Sequence, residues 1–207
     1  LLEPNQVLGR ANRYFLRSCK KIFCYSEKIK NFPDDSKDKI ITINTLVKEN
    51  VYNLKKSEKI KDEFTLLIVG GSQGAKFFDR SLKKTIVNIS KKTKIKIIQQ
   101  TVDKNINSLT NFYSQNHIEN QIFSFDKDFT RYIQEADLCI TRAGASTLAE
   151  LSITNTPFIA VPLPTSKDNH QMENANFYKE NNSCWIIEQI NFEKKIDQFL
   201  IDILNNK

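Results

Sequence analysis

The sequence of 207 residues contains no apolar run near the ~20 residues that a membrane-spanning helix needs. Its start, LLEPNQVLGR, lacks a basic segment followed by an apolar one, so we expect no secretory signal peptide. None of the four cysteines (Cys19, Cys24, Cys139 and Cys184) lies in a C-x-x-C pair. We therefore expect reduced, mostly buried thiols rather than zinc ligands or a disulfide framework.

The charge of the chain does not by itself indicate a partner. The formal net charge is +7, but the lysines are scattered and are not interleaved with aromatic residues. The functional interpretations of such a positive charge are binding to nucleic acid and binding to an anionic membrane surface. We favour a solvated, lysine-rich surface and expect no nucleic-acid partner.

Short apolar runs alternate with longer amphipathic stretches. The candidate strands are 21–26, 40–44, 64–71, 94–100, 121–125, 137–141, 157–163 and 183–188. The candidate helices lie near 75–90, 105–116, 128–135, 146–154, 169–181 and 192–205. This alternation predicts an α/β fold built from βαβ units, and the continuous apolar runs predict a parallel sheet with helices on both faces.

The polar and highly charged segment 48–63 interrupts this pattern, and we interpret it as a linker or domain junction. Residues 1–47 hold one predicted helix and two strands, too few for a domain alone, whereas 64–207 form a larger α/β unit. Because the sequence begins with Leu rather than Met, we also expect a fragment of a longer protein.

The loops that follow strands are the candidate binding sites, because ligands of open α/β sheets bind at the carboxyl ends of the strands. These loops are GGSQGA (70–75), the DKD turn (126–128), RAGAST (142–147) and PLPTSKDNHQ (162–171). They contain four of the five glycines and a concentration of Ser, Thr, Asn and His.

The GGSQGA loop could bring backbone N–H groups at a helix start close to an anion. It is not a Walker A loop, because Phe77 follows Lys76 where Ser or Thr is required. It is not the dinucleotide fingerprint either, because Ser72 occupies the second glycine position. An ordinary tight turn and a ligand-binding loop remain equally open.

The stretch TRAGASTLAE (141–150) leaves a similar choice. The amides of Ala145, Ser146 and Thr147 could face a phosphate, which a helix start favours. Alternatively, Thr147 and Glu150 match a capping box, S/T-x-x-E, in which Glu150 closes its own helix. The spacing alone favours the capping box.

The remaining polar motifs are weaker. His170 and Gln171 are expected in the first turn of a helix, but no Asp or Ser at a recognisable spacing predicts a catalytic triad. Asp126 and Asp128 match the D-x-D pattern that some glycosyltransferases use for Mn²⁺, yet Asp128 is also a natural N-cap, which we favour. We expect neither a metal nor another cofactor.

Together, GGSQGA, ADLCITRAGASTLAEL and PFIAVPLPTSKDNHQMENA resemble, in order and spacing, the donor-binding half of the MurG family of glycosyltransferases. The start, LEPNQVLGRANRYF, resembles the H-E-Q-N…G…N segment that ends the first domain of that family. The resemblance implies a GT-B fold, with two Rossmann-like domains and the active site between them. It also implies transfer of N-acetylglucosamine from UDP-N-acetylglucosamine to the undecaprenyl-pyrophosphoryl-muramoylpentapeptide of peptidoglycan synthesis.

The resemblance further implies which residues bind the donor. Those expected at the uracil and the ribose are Phe125, Asp126 and Glu150. Those expected at the diphosphate are Lys48, Ser72, Arg142 and the amides of Ala145, Ser146 and Thr147. Those expected at the sugar are Asn5 and Gln171, with His170 beside Gln171.

The sequence departs from the family at several positions. Leu2 and Pro4 replace the His and Gln that usually precede Asn5, and Asp126 replaces an apolar residue. Lys48 replaces an Arg, which keeps the charge but loses the bidentate fork. The glycine-rich first domain of the family is absent. It carries the expected catalytic base and most of the acceptor and membrane surface, so we expect the fragment alone to be inactive.

We expect the complete enzyme to be peripheral, at the cytoplasmic face of the bacterial inner membrane. Two other functions stay open. One is a stand-alone UDP-N-acetylglucosamine-binding subunit that needs a membrane partner, although residues 1–46, the expected tail of a first domain, would have no function in it. The other is an enzyme like UDP-N-acetylglucosamine 2-epimerase, whose acid/base carboxylates and histidines we do not find.

Overall fold

A computed structural model of the chain describes residues 1–54, 63–180 and 184–205, without the side chains of residues 72–75. Half of the predicted linker, 55–62, and the side chain of Ser72 therefore lie outside the described residues. In the described ranges, no helix is both long enough and apolar enough to cross a bilayer.

The beginning of the chain forms a small parallel sheet of three strands, where two were predicted. Its strands are β1 (Leu2–Glu3), β2 (Ile22–Cys24) and β3 (Ile40–Thr42), in the order β1-β2-β3. Helix α1 (Arg10–Phe15) joins β1 to β2, and the short helix α2 (Glu49–Tyr52) follows β3. Strand β1 escaped prediction because two residues are too short to leave a hydrophobic pattern.

The larger sheet has six strands, and all its pairings are parallel. The strands are β4 (Phe64–Val69), β5 (Ile95–Gln100), β6 (Glu119–Phe123), β7 (Leu138–Thr141), β8 (Phe158–Ala160) and β9 (Cys184–Ile186). Their order is β6-β5-β4-β7-β8-β9, so the direction of winding reverses between β4 and β7. The carboxyl ends of β4 and β7 therefore form the switch point at which open α/β sheets bind ligands.

The helices follow the predicted alternation with one difference. They are α3 (Gly71–Ser81), α4 (Lys83–Ser90), α5 (Ile106–Gln115), α6 (Thr130–Glu135), α7 (Ala145–Ile153), α8 (His170–Glu180) and α9 (Phe192–Asn205). The single helix predicted at 75–90 is two helices, because the chain turns at the fully buried Leu82. The first of them also begins earlier, at Gly71, whose φ of +61° suits glycine.

Hydrophobic clusters cover both faces of the larger sheet. Along β4, Leu66 and Ile68 belong to one cluster, whereas Leu67 and Val69 belong to the other. This alternation confirms the predicted α/β class with helices on both faces.

The four cysteines are unpaired, and all but Cys19 are buried, as expected. Burial raises the pKa of the Cys24 and Cys184 thiols to about 11, so both stay protonated at neutral pH. Inert, buried thiols of this kind are structural rather than catalytic.

Candidate functional site

A cavity of about 370 Å³ opens at the carboxyl edge of the larger sheet, where β4 and β7 end. All four predicted loops contribute to its wall, through Gly70, Gly71, Phe125, Asp126, Gly144, Thr147, Leu163 and Gln171. This volume lies within the range of small-molecule sites. The structure therefore brings the separately predicted loops together at the switch point.

Helix α7 presents an uncapped N-terminus to this cavity. The helix begins at Ala145, and its N-cap residue is Gly144, which has no side chain to bond the free amides. Thr147 lies in the first turn rather than at the N-cap, so the capping box favoured by the spacing is wrong. No described residue accepts a hydrogen bond from the amides of Ala145, Ser146 or Thr147, which leaves them available to an anion.

Glu150 lies one turn beyond Thr147 on the same side of α7, next to the cavity wall. Its carboxylate is half-buried and makes no hydrogen bond or ion pair with any residue in the described ranges. Burial raises the pKa of Glu150, and the charge of Lys48 opposes that rise. A desolvated acceptor without a partner is suited to a ligand that brings hydrogen-bond donors, such as vicinal hydroxyls.

Lys48 is exposed at the N-cap of α2, a helix that contacts α7. It therefore lies on the Glu150 side of the site, as its effect on the pKa of Glu150 also indicates. A contact between Lys48 and a diphosphate stays a prediction.

The oxygen of the Gln171 side chain is held by two backbone N–H groups at the cavity wall. Oε1 accepts hydrogen bonds from the amides of Ala143, at 3.2 Å, and Leu163, at 2.9 Å. These bonds orient the side chain and leave Nε2 without a partner in the described part of the chain. His170 is not part of the wall, and its Nδ1 lies 2.8 Å from the carbonyl oxygen of Lys167.

The Asp126 side chain holds the turn after β6. Its carboxylate accepts hydrogen bonds from Tyr132 Oη at 2.7 Å, the Asp128 amide at 2.8 Å and Arg131 Nη2 at 2.6 Å. These donors keep the pKa of Asp126 below its usual range, with Tyr132 contributing most. Because both carboxylate oxygens are engaged, the backbone is the part of this residue that can meet a base.

The predicted N-cap role of Asp128 is wrong. Helix α6 begins at Thr130, and its N-cap is Phe129, while the amide of Asp128 closes a turn onto the Asp126 side chain. In the described ranges, no group of three or more His, Cys, Asp or Glu side chains could hold a metal ion.

Three phenylalanines form an aromatic wall beside this turn: Phe123, Phe125 and Phe129. Phe125 is 77% exposed, so its ring is open to a ligand. The sequence indicated Phe125 alone. Phe123 ends a strand and Phe129 precedes a short helix. Phenylalanines at such positions are commonly part of the core, so the sequence gave no reason to place these two at the site.

Arg142 is a buried residue of the cavity wall, and most of its guanidinium is engaged by the protein itself. Its Nη2 donates to Gln189 Oε1 at 2.7 Å, its Nη1 donates to the carbonyl oxygen of Val161 at 3.1 Å, and the guanidinium stacks on Phe77 and Phe78. Burial lowers the pKa of Arg142 to about 10, which keeps it charged at neutral pH. Its Nε is buried and has no hydrogen-bond partner in the described part of the chain. The expected electrostatic role of Arg142 at a diphosphate stays a prediction.

Asn5 is fixed against the larger sheet through a buried asparagine that the sequence did not reveal. Asn174 Nδ2 donates to Asn5 Oδ1 at 3.0 Å and to the carbonyl oxygen of Ala143 at 3.2 Å. The Asn174 oxygen accepts the amide of Gln6 at 2.9 Å, and Asn5 Nδ2 donates to Glu3. The segment around Asn5 is thereby tied to the loop that precedes α7.

Comparison with known proteins identifies the class of this chain. Residues 65–207 match the glycosyltransferase family 28 C-terminal domain, so the chain belongs to glycosyltransferase family 28.

The chain is also similar to individual curated proteins. It is 50% identical over 208 residues to the UDP-N-acetylglucosamine--N-acetylmuramyl-(pentapeptide) pyrophosphoryl-undecaprenol N-acetylglucosamine transferase of Pelagibacter ubique (strain HTCC1062), matching 100% of this chain and 58% of that protein. The protein of the same name from Rickettsia felis (strain ATCC VR-1525 / URRWXCal2) is 36% identical, again over 100% of this chain, and 61% of it is covered. The chain thus spans less than two thirds of these relatives.

Solved structures agree on the fold. The crystal structure of Acinetobacter baumannii MurG superposes with a TM-score of 0.77 at 25% identity, covering 98% of this chain and 57% of that one. A glycosyltransferase from Rickettsia africae ESF-5 gives a TM-score of 0.58 at 13% identity, covering 96% of this chain and 57% of that chain, which shows the fold alone. The predicted GT-B type of α/β fold is confirmed, as is the resemblance to the MurG family.

Proposed function

We propose that this chain is the donor-binding part of an enzyme that transfers N-acetylglucosamine from UDP-N-acetylglucosamine to the undecaprenyl-pyrophosphoryl-muramoylpentapeptide, in peptidoglycan synthesis. The observation that carries the proposal is the cavity at the switch point, between an uncapped helix N-terminus and an unpartnered carboxylate. The names of the relatives support the same donor and acceptor.

In this proposal, residues 1–47 are the tail of the acceptor domain, 48–63 the domain junction and 64–207 the donor domain. The uracil lies against Phe125 and the backbone of Asp126, and the ribose hydroxyls donate to Glu150. The diphosphate faces the starts of α3 and α7, where Ser72 and the amides of residues 145–147 lie. The sugar reaches Gln171 and Asn5.

The reaction is an inverting displacement. The C4 hydroxyl of the acceptor attacks the anomeric carbon, its proton passes to a base, and the bond to the diphosphate breaks as UDP leaves. This chain holds the donor and stabilises the negative charge that grows on the leaving diphosphate. An oriented donor group of this kind typically lowers a barrier by ~3 kcal/mol. We assign no catalytic base among the described residues.

The alternative functions find less support. An epimerase needs acid/base groups at the sugar, whereas in this proposal neither carboxylate of the site lies there: Asp126 is engaged in its own turn, and Glu150 meets the ribose. A donor-only subunit has no need of the small sheet, which Asn174 ties to the larger one.

Calorimetry with UDP-N-acetylglucosamine tests the proposal. We expect the chain to bind it weakly, toward the upper end of the ~1 μM–1 mM range of enzyme substrates, because part of the sugar site belongs to the acceptor domain. ADP-glucose is the control and is expected to give no signal, because in this proposal the backbone of the turn after β6 meets uracil rather than adenine. Absence of heat with the UDP-sugar at millimolar concentration would contradict the proposal.

We also propose that the enzyme works as a peripheral protein at the cytoplasmic face of the inner membrane. Helix α1 supports this, because Tyr14 is 80% exposed and Phe15 is 54% exposed beside the exposed Arg13 and Arg17. Exposed aromatic residues flanked by basic ones suit an anionic lipid surface, where each basic residue contributes about 1 kcal/mol.

Sedimentation with vesicles tests the membrane proposal. The chain is expected to sediment with phosphatidylglycerol-containing vesicles but not with pure phosphatidylcholine, and added salt should release it. Replacing Tyr14 and Phe15 by Ser is expected to abolish sedimentation, whereas Ile190→Ser, at a residue that is 82% exposed elsewhere, should not. Equal sedimentation of the two variants would contradict the assignment to α1.

A further inference from the structure

Gln100, the last residue of β5, lies on the cavity wall and joins two of its turns. Its Oε1 accepts the Gly71 amide at 2.9 Å, and its Nε2 donates to the carbonyl oxygen of Ser124 at 3.0 Å. Because the amide can only donate and the carbonyl can only accept, these partners fix which end of the side-chain amide is oxygen. One side chain therefore links the turn after β4 to the turn after β6.

The strand order explains why this link falls to β5. Strand β5 lies between β4 and β6 in the sheet, so the turns that follow β4 and β6 are not direct neighbours. Gly71, with its φ of +61°, opens the first turn, and Ser124 precedes Phe125 and Asp126 in the second. A side chain at the end of β5 is placed to set the distance between them.

The preceding residue, Gln99, offers a natural contrast. It points away from the cavity and is fully buried. Its Nε2 donates to Asp79 Oδ1 at 3.0 Å, and its Oε1 accepts the hydroxyl of Tyr113 at 2.7 Å. Two adjacent glutamines of one strand thus serve different networks, one beneath the helices and one at the cavity.

We propose that Gln100 is a positioning residue of the donor site, which sets the separation between the phosphate-binding turn and the base-binding turn. The inference rests on the proposed function, which assigns the diphosphate to the first turn and the uracil to the second. A nucleoside diphosphate touches both turns and depends on their separation. Uridine reaches the base turn and lacks the phosphates, so it depends on that separation much less.

The test compares the dissociation constants of uridine and UDP, measured by NMR titration of the whole chain. Their ratio, Kd of uridine over Kd of UDP, reports the advantage of reaching both turns. We expect Gln100→Leu to lower this ratio about tenfold, because both hydrogen bonds between the turns are lost. Gln99→Leu is the matched control; it is expected to lower Tm more but to leave the ratio unchanged.

Partial unfolding of a variant weakens the binding of uridine and of UDP equally, so it does not change the ratio of their dissociation constants. A purely structural role of Gln100 would therefore leave this ratio at the wild-type value. That result would overturn the inference. If Gln100→Leu does not fold, Gln100→Met, which is unbranched and of similar length, replaces it in the comparison. Failure of the wild-type chain to bind UDP at all would instead overturn the proposed function.

Discussion

Replacing Glu150 by Gln is expected to weaken UDP-N-acetylglucosamine binding roughly 100-fold, because two charge-assisted hydrogen bonds to ribose hydroxyls are lost or weakened. The free protein should be as stable as the wild type or more stable. Burial raises the pKa of Glu150, so the folded state disfavours the charged carboxylate, and at pH values above the ordinary pKa this charge opposes folding. Glutamine keeps the shape and removes the charge.

Calorimetry and thermal unfolding at pH 7, on the same preparations, measure the two effects of Glu150→Gln. Glu180→Gln, at an exposed position near the end of α8, is the control and should change neither affinity nor Tm. A lower Tm with unchanged affinity would mean that Glu150 supports its own helix, and the ribose assignment would then fail.

Replacing Gly144 by Ser is expected to stabilise the free protein. It should also weaken the binding of UDP-N-acetylglucosamine roughly tenfold to a hundredfold. Gly144 has N-cap backbone angles, φ −74° and ψ 134°, and a Cβ added there meets no atom within 4 Å. A serine hydroxyl can therefore bond a free amide of α7. A serine cap is worth about 1 kcal/mol relative to alanine, but only a few tenths of a kcal/mol relative to glycine. The same amide is then no longer available to the diphosphate.

The matched control is Gly144→Ala, which adds the Cβ without a hydroxyl. It is expected to give no gain in Tm and a smaller loss of affinity, and calorimetry with melting curves separates the two variants. If Gly144→Ser raises Tm and leaves the affinity unchanged, the start of α7 does not bind the phosphates.

Much of the fold followed from the sequence because local patterns determined it. The continuous apolar runs predicted each strand of the larger sheet, and the loops after those strands proved to share one cavity. The start of α7 was different. The S/T-x-x-E pattern fits Thr147 and Glu150, but it does not say where the helix begins, and Gly144 ends the preceding extended segment two residues before Ser146. A cap motif is therefore informative only once the first helical residue is known.

The residues and contacts that sequence reasoning missed join distant parts of the chain. Asn174 bonds to Asn5 across 169 positions, and Gln100 bonds to Gly71 across 29. Arg142 was expected near the diphosphate, but its packing against residues of α3 and its bond to the carbonyl that follows β8 could not be read from the sequence. Only tertiary packing decides such partners, and no local spacing encodes them.

The burial of Arg142 has an electrostatic consequence for the cavity that it adjoins. Its charge persists at neutral pH and lies at the cavity wall in a region of low dielectric constant, where it attracts anions. Mobile ions screen such an interior charge much less than they screen the exposed Lys48. The attraction of the cavity for anions thus has a part that decreases with ionic strength and a part that burial protects. We therefore expect a positive potential at the cavity to persist in concentrated salt.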